Sequence, residues 1–197
     1  MAITINGNGT VTGISVGGLP DGIVDTDMIA AGAVTAAKRG TGSILQIVST
    51  TKTDTFSSST TGSWVDVTGL TATITPASSS NKILVTVMCS VGNSGTGTRS
   101  GMKLLRGSTG IAIADAAGNR ERASFGTFNA HGNGNNQQVP AHVQVLDSPS
   151  TTSATTYKIQ LHTGDSSTMY VNRTGEDADD SNEKRGVSTI TLMEVAG

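Results

Sequence analysis

The chain has 197 residues and a mass of 19.9 kDa, carries a net charge of -2, and draws only 14% of its residues from Asp, Glu, Lys and Arg and 3% from Phe, Trp and Tyr. With no basic surplus to hold a phosphate backbone and few aromatics to stack bases, nucleic acid is not an expected partner. One cysteine excludes an internal disulfide framework and a thiolate-rich zinc site, and no apolar run reaches the ~18 residues of a membrane helix, so neither a metal cofactor nor membrane insertion is expected.

Hydrophobic residues hold at 35%, while Ser, Thr and Gly together supply about two-fifths of the chain. That balance fits many short strands whose solvent faces and turns are Ser- and Thr-rich, and not a chain disordered by charge. Met1 to Thr12 lacks the basic start and apolar centre of a secretory signal, so a chain that starts soluble in the cytoplasm that makes it is expected.

Ile3 and Ile5 alternate with Thr4, Asn6-Gly7-Asn8-Gly9 supplies residues that tolerate positive φ, and Val11 resumes an extended run, which predicts a short hairpin. Leu19-Pro20-Asp21-Gly22 is a turn, because proline fixes one φ and glycine admits the left-handed one. Gly22-Ile23-Val24-Asp25 then aligns with Gly32-Ala33-Val34-Thr35 as a ten-residue repeat. Each copy predicts a single helical turn, over Met28 to Ala31 and Val34 to Lys38, too short to be stable alone, so its apolar positions are expected to bury against something else, a second copy of the chain above all. Arg39-Gly40-Thr41-Gly42 reads as a linker, dividing the chain into a docking segment, 1–42, and a head, 43–197.

In the head, ten candidate strands follow one another between Gly, Ser, Asn and Pro punctuation. They are Ile44 to Ser49, Trp64 to Val67, Leu70 to Thr75, Ile83 to Val91, Met102 to Arg106, Ser124 to Phe128, Val139 to Leu146, Tyr157 to His162, Met169 to Asn172 and Val187 to Val195. With no long helical pattern between them they predict an all-β fold, an antiparallel β-sandwich of jelly-roll type. Pro140 marks an edge strand or a strand start, since it cannot donate to a ladder. Ile83 to Met88 and Val187 to Val195 carry apolar residues on both faces, and the face with Ile190 and Leu192 is expected to be covered either by a neighbouring subunit, the preferred reading, or by the chain itself.

Candidate sites are sparse. His131, His142 and His162 share no metal-ligand spacing, His142 and His162 fall on the polar faces of candidate strands, and Cys89 falls among Ile and Val on one strand face, where it reads as a small hydrophobe. Glu176, Asp177, Asp179 and Asp180 are the densest acidic cluster; a solvated loop is the favoured reading, and any bound cation is expected there. Asn129, His131, Asn133, Asn135, Asn136 and Gln137 belong to a loop rich in side-chain amides, which offer donors and acceptors together and suit sugar hydroxyls; a solvated loop is the competing reading. No pair of acidic residues has a context that argues for acid-base catalysis, so an enzyme is not expected.

The motifs ITINGNGT, ISVGGLPDG and GAVTAAK in the first fifth of the chain resemble the start of tail-fibre and related virion structural proteins of tailed bacteriophages, those of marine cyanobacterial phages in particular. The head, with SWVDVTGLTATITPASSSNKILVTV, YKIQLHTG and STITLMEVAG, is similar to the β heads that follow such segments. The resemblance implies a homotrimeric virion component that docks on another virion protein through residues 1–42, sits on the tail in preference to the capsid surface, and contributes to host attachment through a surface glycan or protein. A capsid decoration, cement or head-fibre protein without receptor binding is the alternative.

Overall fold

The computed structural model describes residues 4–5, 11–12, 29–35, 38–95, 99–126, 137–164 and 166–197. The chain divides into two units, Met1–Arg39 and Gly40–Gly197. In the first, β1 (Thr4–Ile5) pairs antiparallel with β2 (Val11–Thr12), with Ile5 opposite Val11, the hairpin that the alternation predicts. Gly32 takes a φ of 78° in a turn closed by the Ala33 N–H donating to Ala30 O at 2.9 Å, a conformation that favours glycine. Ile29 and Val34, apolar positions of the repeat region, are exposed.

The second unit holds two antiparallel sheets. The first is six-stranded and contains β3 (Ile44–Lys52), β4 (Phe56–Ser58), β6 (Lys82–Asn93), β10 (Val139–Asp147), β12 (Met169–Val171) and β13 (Ser188–Val195); the second is five-stranded and contains β5 (Val65–Ile74), β7 (Ser100–Arg106), β8 (Thr109–Ile111), β9 (Phe125–Gly126) and β11 (Thr155–Thr163). In the first, β10 pairs with β6, β6 with β13, and β13 with β3, while β12 takes the far end of β6 and pairs with β4. In the second, β5 pairs with β11 and β11 with β7, whose other side carries β8 and β9.

These pairings nest. β3 lies beside β13, β5 beside β11, β6 beside β10, and β7 beside β8 and β9, so the chain doubles back as one long hairpin whose successive rungs alternate between two sheets. That winding is the jelly roll. Pro140 stands near the start of β10, which among the described strands pairs with β6 alone, an edge where the missing proline N–H costs no ladder bond.

The core follows from period-2 alternation. Ile83, Val85, Val87, Cys89 and Val91 of β6 face Leu104, Tyr157, Ile159, Leu161 and Leu70 of the other sheet, all buried, and each large apolar side chain removed from water contributes about 1.5–3 kcal/mol. Burial pushes the Cys89 thiol up to about 11, as suits a core residue. Ile190 and Leu192 belong to this inner face and are fully buried within the chain. This corrects the expectation that they face a neighbouring subunit: alternation sorts residues into two sets without saying which set points inward.

β5 unites two segments that the sequence separated. Gly69 at φ 82° sits where the ladder jumps from Lys158 opposite Thr71 to Gln160 opposite Asp66, so a glycine that reads as a break is a bulge within one strand. Polar side chains fasten the two sheets at their ends. Asp147 of β10 accepts bonds from Tyr157 Oη at 2.7 Å and Arg106 Nη1 at 2.8 Å, both in the other sheet. Glu194, fully buried, accepts from Asn81 Nδ2, Gln46 Nε2 and the Ala77 N–H, each at 2.6 Å.

Candidate functional site

Asn129, His131, Asn133, Asn135 and Asn136 lie outside the described residues. Gln137 is described and exposed. The next residue, Gln138, accepts from Ser90 Oγ at 2.7 Å and donates through Nε2 to Lys184 O at 2.5 Å, which joins the end of the amide-rich segment to the loop that carries the acidic cluster. In that loop Asp177 accepts two bonds from Arg185, at 3.0 and 2.7 Å, and lies 3.3 Å from Arg173 Nη1; the Arg185 guanidinium, then that of Arg173, hold its carboxyl below the ordinary value of 3.8. Glu176, Asp179 and Asp180 are exposed. Among the described residues no group of three or more His, Cys, Asp and Glu side chains is placed to hold a metal ion.

A recess lies on the outer face of the second sheet. Its geometry follows from register. Leu161 pairs with Val65, His162 with Gly101 and Gly101 with Gly126, so Trp64, His162, Gly101 and Gly126 form one row from β5 across β11 and β7 to β9. The two bulky rings stand at one end of the row, the indole lies over the buried Gly101, and the exposed Gly126 ends the row. The resulting cavity has a volume of about 560 Å³, and the β8–β9 connection supplies Asn119, Arg120 and Glu121 to its lining.

Trp64 is fixed from several sides. Its ring centroid is 5.0 Å from that of His162 at an interplanar angle of 30°, Lys103 Nζ stands 3.8 Å over the ring, and Nε1 donates to Glu121 Oε2 at 3.3 Å. A cation over an indole face adds about 0.5–1 kcal/mol at exposed sites. A Cβ on Gly101 would come within 3.1 Å of the Trp64 ring, so glycine there is what lets the indole lie close to the sheet. His162, expected on a polar strand face, is on the outer face yet only 9% exposed, because Trp64 covers it.

Ser100 borders the cavity but alternates with Met102 and Leu104 onto the inner face of β7, and its buried Oγ has no hydrogen-bond partner among the described residues. A buried hydroxyl left alone costs on the order of 1–3 kcal/mol, which makes it a marked exception in a fold that otherwise pairs its buried side chains. Sequence reading missed this site. Trp64 was legible as a strand start and His162 as an outward residue, but Ser100, Gly101 and Gly126 carry no motif and meet the others only through strand pairing.

No family model and no curated protein matches the chain. Among solved structures, the chain is similar to that of the T=1 particles derived from infectious bursal virus, with a TM-score of 0.38 and 15% identity over 77% of this chain and 36% of that one. It is similar in the same degree to infectious bursal disease virus Gx strain, TM-score 0.38, 15% identity, 77% of this chain and 37% of the other. The infectious bursal disease virus VP2 subviral particle gives a TM-score of 0.37 at 15% identity, over 77% and 38% of the two chains. The chain thus spans little more than a third of the length of these structures.

Proposed function

We propose that this chain is a non-enzymatic virion structural protein, a homotrimer whose first unit docks on another virion protein and whose jelly-roll head contributes to host attachment from the tail. The observation that carries the reading is the nested pairing of the head, an architecture used by capsid and lectin domains, set behind an N-terminal segment whose motifs resemble those of tail fibres. The exposed Ile29 and Val34 supply apolar contacts for docking. Among the described residues of the cavity lining Glu121 is the one carboxylate, where acid-base hydrolysis of a glycosidic bond calls for two.

One observation favours the decoration or cement reading. Leu146, Leu84, Met193 and Ile47 are successive partners across the outer face of the first sheet, forming an apolar row whose ends, Leu146 and Ile47, are 49% and 58% exposed. Such a row suits packing against another subunit. Antibodies raised against the head and applied to intact particles distinguish the readings in electron micrographs. Label at the tail supports attachment, label over the capsid faces selects decoration, and unlabelled particles overturn both. Light scattering of the full chain is expected to give three times the 19.9 kDa chain mass, and a stable monomer at micromolar concentration removes the trimer.

A further inference from the structure

We infer that the outer face of β10, β6, β13 and β3 is the surface through which three copies of this chain pack, around an axis that runs along the strands. The inference rests on the homotrimer reading and assigns a face to it.

Register assembles the surface. The four strands are consecutive neighbours, and their outward residues line up in rows across them. Leu146, Leu84, Met193 and Ile47 form one row, and Val195 with Ile44 extends the apolar surface toward the start of β3. Ile44, Ile47, Met88 and Leu146 on this face are four of the five exposed large hydrophobic residues among the described residues of the head.

Two further observations mark the face as one that is covered. Where the four strands pair, Lys82 at the start of β6 is the one Lys, Arg, Asp or Glu among the outward described positions, and the core of an interface is depleted in charge. The polar row beside the apolar one is bonded within itself: Gln144 Nε2 donates to Thr86 Oγ1 at 3.0 Å, and Ser49 Oγ lies 2.8 Å from Thr191 Oγ1. Hydrogen bonds made along the sheet survive when water leaves, so covering this row costs little.

The width of the face selects the occupant. Strands ~4.8 Å apart make four of them about 19 Å across, and the side chains of a packed sheet reach about 5 Å, half the ~10 Å between stacked sheets. Three such faces set as a triangle leave about 5.5 Å from each sheet to the axis, so the side-chain layers of three copies meet there. Leu84 and Met193, in the middle of the row, then point at the axis, and Ile47 of one copy meets Leu146 of the next at each corner. Those two are the row's exposed ends. With β3 and β10 nine residues long, each face covers roughly 500 Å². Closing a ring of three removes about 1,500 Å² from water, the scale of a standard interface, whereas two faces pressed together remove about 1,000 Å², the lower limit of one.

Within one copy Ile47 and Leu146 stand three strand spacings apart, about 14 Å, beyond the ~7 Å reach of a disulfide, so a bond between cysteines at the two positions joins different copies. Cys89 is buried in the core and does not compete. The experiment oxidises the full chain carrying Ile47→Cys and Leu146→Cys together, beside each single variant, and reads the products on a denaturing gel. The double variant should give a covalent species of three times the 19.9 kDa chain mass, and neither single variant should crosslink. Crosslinking of a single variant, or products of the double variant that stop at two chains, marks a two-fold pair and overturns the three-fold packing. No crosslink in a chain that light scattering shows to be trimeric overturns the face and leaves the trimer standing; a monomer by scattering removes the trimer and the face with it.

Ile47→Glu, at a position exposed in the single chain, should keep the circular dichroism spectrum and raise the concentration at which trimers form about tenfold or more. An unchanged midpoint overturns the proposal. A thiol reagent separates the other occupants: Ile47→Cys should be protected in the trimer and react on dilution to monomer. Full reactivity in the trimer leaves the face to another virion protein, protection that survives dilution gives it to the chain's own first unit, and either result overturns the proposal.

Discussion

Asn172 and Ser100 are both buried polar residues at the end of a strand of the jelly roll, and they are opposites in how they are satisfied. Asn172 donates through Nδ2 to Lys52 O at 2.8 Å and Asp54 O at 2.9 Å and accepts from Ser188 Oγ at 2.6 Å, while its own N–H donates to Ser90 O at 2.9 Å. It thereby ties β3, β6, β12 and β13 at one end of the first sheet. Ser100, at the start of β7, has no hydrogen-bond partner for its side-chain hydroxyl among the described residues. A buried polar group that is fully partnered is explained by the fold, and one that is left alone carries its desolvation cost uncompensated.

The largest effect should come from breaking the satisfied side of this contrast. Asn172→Ala removes the three side-chain bonds and forces alanine into a φ of 65°, for a combined loss of roughly 3 kcal/mol or more in denaturant unfolding. Asn172→Gly keeps the backbone comfortable and should recover about 1 kcal/mol of that loss. Equal losses in the two variants would mean that the left-handed backbone carries no cost here.

Glu194 sharpens the same point through pH. Burial, the largest influence, would raise its carboxyl, but the bonds from Asn81, Gln46 and the Ala77 N–H together outweigh it and hold the group below its ordinary value of 4.5. A carboxyl depressed in the folded state adds stability that is present above its unfolded value and is lost as pH falls through the folded one. Stability of the wild type should therefore drop below about pH 4.5, and Glu194→Gln should flatten part of that drop while costing roughly 2 kcal/mol at neutral pH. Asp66 and Asp177, also depressed by their basic partners, titrate in the same region, so the difference between wild type and variant is the quantity to read.

How much of this was legible in the chain depends on the range of the signal. The alternation of β6, β10, β11 and β13 announces strands because a half-buried strand repeats every two residues, and the turn-rich spacing points to a sandwich. β4 and β8 went unread, since each holds one apolar residue among the Ser, Thr and Gly of turns. Ile190 and Leu192 were assigned to the wrong face because both faces of β13 hold apolar residues and only the partner sheet decides between them. The cavity was illegible for a stronger reason: Trp64, Ser100, Arg120 and His162 come from separate segments, and nothing local links them before β5, β11 and β7 settle into register.

Ser100→Ala should give the smallest effect on stability, and the smallness is itself informative. The substitution removes a hydroxyl that bonds to nothing in the folded chain, so no hydrogen bond is lost, and the desolvation cost of burying that hydroxyl disappears with it. A methyl in its place keeps most of the packing. Unfolding free energy should stay within about 0.5 kcal/mol of the wild type or rise slightly. A large loss of stability would show that Ser100 has a structural partner after all and would return it to the class of Asn172. Unchanged or slightly raised stability would make the orphaned hydroxyl a defect that the fold tolerates.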